Sequence, residues 1–199
     1  FAKSIFLQSG TWKFERVPHQ ENLLLQGNYY GVSVLEKVNN QWVFKNKIKG
    51  FDYSSRYFAV TNDLDVYVSH ENQGVFRFQV DSKLRKASPF SAYSSPKKGK
   101  NASLIQFNNS IYYAYKEGIF KLNPKTKQFE KDNLLSSVFE KDEYTSGKLI
   151  VDNSNKFWLF SKNYIHYFFF YNMTQDLKKN SLPIPSYLTK SMLGYVNIN

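Results

Sequence analysis

The sequence has no cysteine. Disulfides, thiol nucleophiles and cysteine-ligated metals are excluded together. Methionine is nearly missing, with two residues, and alanine is sparse, so long helices have little support. The longest apolar run, around Tyr164 to Tyr171, is far short of the roughly 20 residues of a membrane helix. Arginine is scarce too: four residues, within a basic excess carried by lysine. Net charge is +11, from 27 Lys and Arg against 16 Asp and Glu. Such a surplus raises the question of nucleic acid. Here the lysines are spread along every segment. The one dense cluster, Lys97, Lys98 and Lys100, sits in a Ser/Gly/Pro-rich stretch that reads as a solvated loop. Nucleic-acid binding by this chain is not expected. Phosphate loops, nucleophile elbows and metalloprotease helices are absent as well.

Aromatic residues are what the sequence has in excess. They make up 18% of 199 residues: 18 Phe, 15 Tyr and 3 Trp. Such side chains suit the half-buried face of a sheet. They also recur in phase. A Gly opens an alternating strand at Gly31-Val32-Ser33-Val34, at Gly74-Val75-Phe76-Arg77-Phe78 and at Gly118-Ile119-Phe120-Lys121-Leu122. Asn163 takes the Gly place before Tyr164-Ile165-His166-Tyr167-Phe168. The spacings are 43, 44 and 45 residues. Gly and Asn both tolerate positive φ, so the exchange suits a tight turn.

Other strands keep that phase. Before each anchor runs a short strand: 22–26, 66–69, 111–115 and 157–161. Earlier still lies an apolar one: 57–60, 104–107, 149–152 and finally 195–198. After each anchor comes a more polar segment: 41–45, 83–86, 127–131 and 177–182. Four strands per 45-residue unit is the pattern of a β-propeller. Helical solenoids share the period but lack this two-residue alternation. The predicted fold is all-β, an incomplete β-propeller over residues 1–199. Blades are expected at about 9–49, 54–90, 101–137 and 146–185, with the first strand of another at 193–199. Trp12-Lys13-Phe14 is expected in an innermost strand. The innermost strands should be the most apolar, and the outermost polar because edges need protection.

One unit carries a recognisable motif. Val151-Asp152-Asn153-Ser154-Asn155-Lys156-Phe157-Trp158-Leu159-Phe160-Ser161 resembles the repeat of two-component regulator propellers. Asp152 matches the family's Asp, Phe157-Trp158-Leu159 its central strand, and Ser161 stands in its Thr position. Asn62 to Ser69 followed by Gly74, and Asn108 to Tyr113 followed by Gly118, repeat it loosely. The family's Gly-Thr pair is replaced throughout. The Asn/Lys/Phe/Tyr-rich wording is similar to the propellers of Bacteroidetes regulators, which carry a triple-tyrosine module and a helix-turn-helix output domain. The resemblance implies a non-catalytic, extracytoplasmic sensor for signal transduction and transcription regulation. A protein-interaction scaffold, or a carbohydrate-active propeller enzyme, are the alternatives.

Propellers bind at one end of their blades. The loops there are those entering each first strand and those joining second to third strands. They contain Tyr29, Tyr30, Tyr53, Arg56, His70 and Tyr115. Arg56 suits carboxylate or sulfate recognition, and the tyrosines could stack on a sugar or peptide. A glycan, peptide or small molecule is the expected ligand. The remaining blades and downstream modules of a parent protein are the other expected partners, with self-association through open blade edges. No catalytic residue, metal or cofactor is expected. His19 and His166 lack ligand spacing, and His166 reads as a packed strand residue. Asp63, Asp65, Asp142 and Glu143 lie near turns, where acids usually bond local backbone.

Overall fold

The computed structural model describes residues 10–96, 102–137, 149–161, 164–171 and 176–183. The chain divides into two compact units, Phe1–Lys98 and Gly99–Asn199. The first holds β1 (Thr11–Val17), β2 (Gln20–Asn28), β3 (Gly31–Val38) and β4 (Gln41–Lys47), then β5 (Tyr57–Val60), β6 (Asp65–His70), β7 (Gly74–Gln79) and β8 (Ser91–Ala92). The second holds β9 (Ser103–Phe107), β10 (Ser110–Tyr115), β11 (Gly118–Leu122) and β12 (Phe129–Lys131), then α1 (Asn133–Ser136), β13 (Ile150–Val151), β14 (Phe157–Phe160), β15 (Tyr164–Tyr171) and β16 (Asp176–Pro183). Within each sheet every strand pairs antiparallel with its chain neighbour, giving four separate four-stranded meanders. Four consecutive meanders of this kind are propeller blades, and the fold is a partial β-propeller.

The turns follow from their residues. Asn39 and Asn40 have φ of 48° and 63°, and Asn108 and Asn109 of 46° and 57°. Positive φ at both central positions is the geometry that asparagine allows and a two-residue hairpin requires. The repeat glycine Gly31 has φ 117°. A Cβ there would also lie 2.2 Å from the Phe51 carbonyl oxygen. Conformation and space therefore both demand glycine. Asn163 lies outside the described residues, as does 193–199.

In the first unit the two sheets bury Leu25, Val32, Val34, Phe58, Val66, Val68 and Phe78 between them, with Phe51 from the connecting loop. Phe51 stacks on Phe78 at 4.3 Å and meets Phe76 and Phe90 edge-on. Gly27 lets the sheets close: an added Cβ would sit 2.1 Å from the Ser55 carbonyl oxygen. In the second unit Phe107, Tyr112, Ile119, Phe157, Leu159 and Phe168 form the core. Phe157 touches Phe107 at 5.2 Å and Tyr112 at 5.9 Å.

Two expectations need correction. The polar segment 83–86 is not the outer strand of the second sheet. It is a turn: Leu84, at φ 55°, drops into the core, while the Asp81 carboxylate accepts from the Arg85 amide. The outer strand lies later, at β8, beyond the expected end at residue 90. The first strand is also not uniformly the most buried. β5 and β9 are largely buried, but β1 buries only Val17 fully, with Thr11, Phe14 and Arg16 exposed and Trp12, Lys13 and Glu15 half-buried. Lys13 pairs with Glu15 and donates to the Phe58 carbonyl at 3.0 Å, so a lysine holds the place of an apolar contact.

The family-like turn in the fourth sheet has a clear physical role. Asp152 Oδ1 accepts from the amides of Ser154 and Lys156, and Oδ2 accepts from Trp158 Nε1 at 2.8 Å. These donors, the Lys156 amide first, hold the Asp152 carboxyl below its usual range.

Candidate functional site

Alternating strand direction places the 28–31 turn, the 48–56 loop and the 70–74 turn at one end of the first unit. Five of the six candidate residues are there. Tyr29 and Tyr30 form the turn between β2 and β3 and are 48% and 53% exposed. Tyr53 lies in the loop entering β5 and is 39% exposed. Arg56 stands just before β5, its guanidinium over the Trp12 ring at 5.1 Å and the Tyr57 ring at 5.3 Å. Trp12 in turn meets Tyr29 edge-on at 4.7 Å. His70 closes β6, with Tyr53 edge-on at 5.9 Å and its Nδ1 accepting from the Asn72 amide. Tyr53 also rests on Phe76 at 4.8 Å and Phe90 at 5.8 Å.

The result is two aromatic groups side by side. Trp12, Tyr29, Arg56 and Tyr57 make one; Tyr53, His70, Phe76 and Phe90 make the other. Their exposed tyrosines are broad, stiff and amphipathic, which suits stacking plus a hydrogen bond from the ring hydroxyl. Lys47 and Asp52 form an ion pair at the edge of the same loop.

The sixth candidate, Tyr115, belongs to the second unit. It ends β10 and is only 8% exposed, stacked on Tyr113 at 6.5 Å beneath the Lys116 ammonium at 5.8 Å.

Sequence reasoning passed over Trp12, which it placed only in a strand. It also passed over Asn28 and Ser55, which hold the loops. The Asn28 side chain accepts from the Tyr30 amide and donates to Ser33 Oγ. Ser55 donates its amide to the Asn28 carbonyl and its hydroxyl to the Tyr53 carbonyl. Scarce arginine was the signal that found Arg56. No comparable signal marks a serine or an asparagine in an Asn/Ser-rich chain.

Chemistry elsewhere is limited. Ser161 Oγ lies 3.3 Å from His166 Nε2, and His166 Nδ1 lies 2.8 Å from Ser181 Oγ. The Ser161 hydroxyl also donates to the Tyr164 carbonyl and accepts from the Tyr164 amide. It therefore staples a hairpin, and His166 is buried as a packed strand residue. Among the described residues no group of three His, Cys, Asp or Glu could hold a metal ion. Among them, too, no helix is long and apolar enough to cross a membrane. Buried tyrosine hydroxyls resist ionisation: burial, then the nearby Asp132 charge, pushes Tyr112 up to about 12.

No family model matches the sequence, and no curated protein matches it. Solved structures do. The extracellular domain of a hybrid two-component system from B. thetaiotaomicron matches with a TM-score of 0.56 at 16% identity, over 88% of this chain and 24% of that one. A second structure, described as the extracellular domain of a one-component system from the same organism, matches with a TM-score of 0.55 at 16% identity, over 88% and 24%. A catalytically inactive virginiamycin B lyase from Staphylococcus aureus, with quinupristin, matches with a TM-score of 0.51 at 12% identity, over 90% and 59%. The chain thus spans about a quarter of the first two. At these identities the likeness is one of fold. It agrees with the motif around Asp152 and Trp158, and the chain stands as a run of β-propeller blades similar in fold to parts of those extracellular domains.

Proposed function

We propose that this chain is a non-catalytic, ligand-binding segment of an extracytoplasmic sensor propeller, working within a longer signalling protein. The observation that carries the reading is the loop end of the first unit. Three exposed tyrosines are held there by buried supports, with Arg56 stacked on Trp12 and Tyr57 at the same end. A surface of rigid aromatic rings with a few polar groups is what a recognition site needs. The motif resemblance and the regulator domains of like fold support the sensor role. The described residues favour binding over catalysis, because their one serine–histidine pair is committed to a hairpin.

Calorimetric titration with neutral and acidic oligosaccharides and short peptides tests this. Expected is saturable binding by a member of one ligand class that is lost in Tyr30→Ala/Tyr53→Ala. Binding that survives this double change would move the site elsewhere. Product formation from the oligosaccharides would make the protein an enzyme instead.

A further inference from the structure

Asn28 is 2% exposed and Ser55 is fully buried. Burying polar side chains is costly unless each is paired. An apolar residue at the end of β2 would avoid that cost. Both residues are nevertheless polar, and both spend their hydrogen bonds on the candidate loops.

The contacts form one chain. The Tyr30 amide donates to Asn28 Oδ1 at 2.9 Å. Asn28 Nδ2 donates to Ser33 Oγ at 3.1 Å, which fixes the amide's orientation from both ends. The Asn28 carbonyl accepts from the Ser55 amide at 2.9 Å. The Ser55 hydroxyl donates to the Tyr53 carbonyl at 3.0 Å. The turn of the first sheet is thereby joined to the loop entering the second. Gly27, next to Asn28, gives the Ser55 carbonyl room to approach. Site geometry is held when supporting residues lock the groups that touch a ligand.

We propose that Asn28 and Ser55 are positioning residues that lock Tyr29, Tyr30 and Tyr53 into one preformed site spanning two blades. The inference rests on the binding reading above and deepens it. The site then favours a ligand with at least two stackable faces, one for each sheet's tyrosines, over a compact single-ring molecule.

The test uses 3-fluorotyrosine placed at position 30 or 53 of the chain, read by fluorine NMR without ligand. Each label in the unaltered protein should give one narrow resonance. Ser55→Ala loses only the hydroxyl on the Tyr53 carbonyl and keeps the amide bond to Asn28, so it should broaden or split the Tyr53 resonance. Asn28→Ala should broaden or split the Tyr30 resonance and speed hydrogen exchange of the Tyr30 amide about tenfold or more. Asn28→Ser keeps an oxygen able to accept from the amide two residues on, and should restore the Tyr30 resonance. Exchange of β6 amides should stay unchanged, which separates positioning from loss of fold. If Asn28→Ala does not fold, Ser55→Ala still decides. An unchanged Tyr53 resonance in folded Ser55→Ala protein would overturn the proposal. A protein whose tyrosines respond but which binds no oligosaccharide or peptide refutes only the binding reading. One that binds while its tyrosines ignore both variants refutes only the positioning.

Discussion

The two units carry the same repeat and present it differently. In the first, the turns and loops at one end expose Tyr29, Tyr30 and Tyr53. In the second, the turn itself is Lys116 and Glu117, and the tyrosine at that end, Tyr115, holds the last strand position, as Asn28 does in the first, stacked away under Lys116. The scaffold positions explain the shared part. Gly31, Gly74 and Gly118 all adopt positive φ where a second strand turns into a third. The difference comes from register and from what lies beneath. Tyr29 rests on Trp12 from β1 and Tyr53 on Phe76, so each ring is propped outward. Tyr115 instead alternates inward with Tyr113 along one strand. A repeat fixes where a turn goes; the neighbours of the turn decide whether its side chains meet solvent.

Substitutions can break this comparison, beginning with the supports. Phe51→Ala removes the ring on which the first unit's core and the Tyr53 loop both lean. It should cost about 3–5 kcal/mol in urea unfolding, with loss of the aromatic near-UV signal. Gly31→Ala forces both a disallowed φ and a clash with the Phe51 carbonyl, and should cost about 3 kcal/mol in the same assay.

A smaller effect is expected at the Asp152 turn of the second unit. Its carboxyl is held below the normal range, so its contribution is present above the unfolded value of about 3.9. That contribution is lost as pH falls through the lower, folded value. Asp152→Asn should be less stable than the unaltered protein at neutral pH. The gap should close on acidification below the folded value. A gap that widens in acid would contradict the hydrogen-bond assignment to Trp158 and the Lys156 amide. Smallest of all, Tyr30→Ala should change stability by no more than about 0.5 kcal/mol, because its ring is exposed. Its cost should appear in binding instead.

Much of the scaffold was legible. Glycines at intervals of 43 and 44 residues marked the described second-to-third turns, because few other residues accept that backbone. The paired asparagines at 39–40 and 108–109 turn two hairpins for the same reason, a signal in the sequence that sequence reasoning passed over. The outer strand of the second sheet was not legible. Lys83 to Lys86 alternates like an exposed edge, and nothing local reveals that Leu84 is needed in the core at positive φ. The exposure along β1 was hidden too, since Trp12 and Phe14 read as core residues until Lys13 is seen reaching the Phe58 carbonyl. For the site, the candidates Tyr29, Tyr30, Tyr53, Arg56 and His70 were chosen by loop position. Their grouping depends on Trp12 meeting Arg56 across 44 residues of sequence, a contact that only packing creates. Tyr115 lies three residues before Gly118, as Asn28 does before Gly31, so the register itself sets it apart from the turn tyrosines Tyr29 and Tyr30.

The most direct measurement compares the two ends by calorimetry against the same oligosaccharide and peptide panel. Tyr30→Ala/Tyr53→Ala should abolish binding that the unaltered protein shows, while Tyr115→Phe leaves it intact. Equal binding by the double variant, or loss of binding in Tyr115→Phe with the fold preserved, would contradict a site on the first unit.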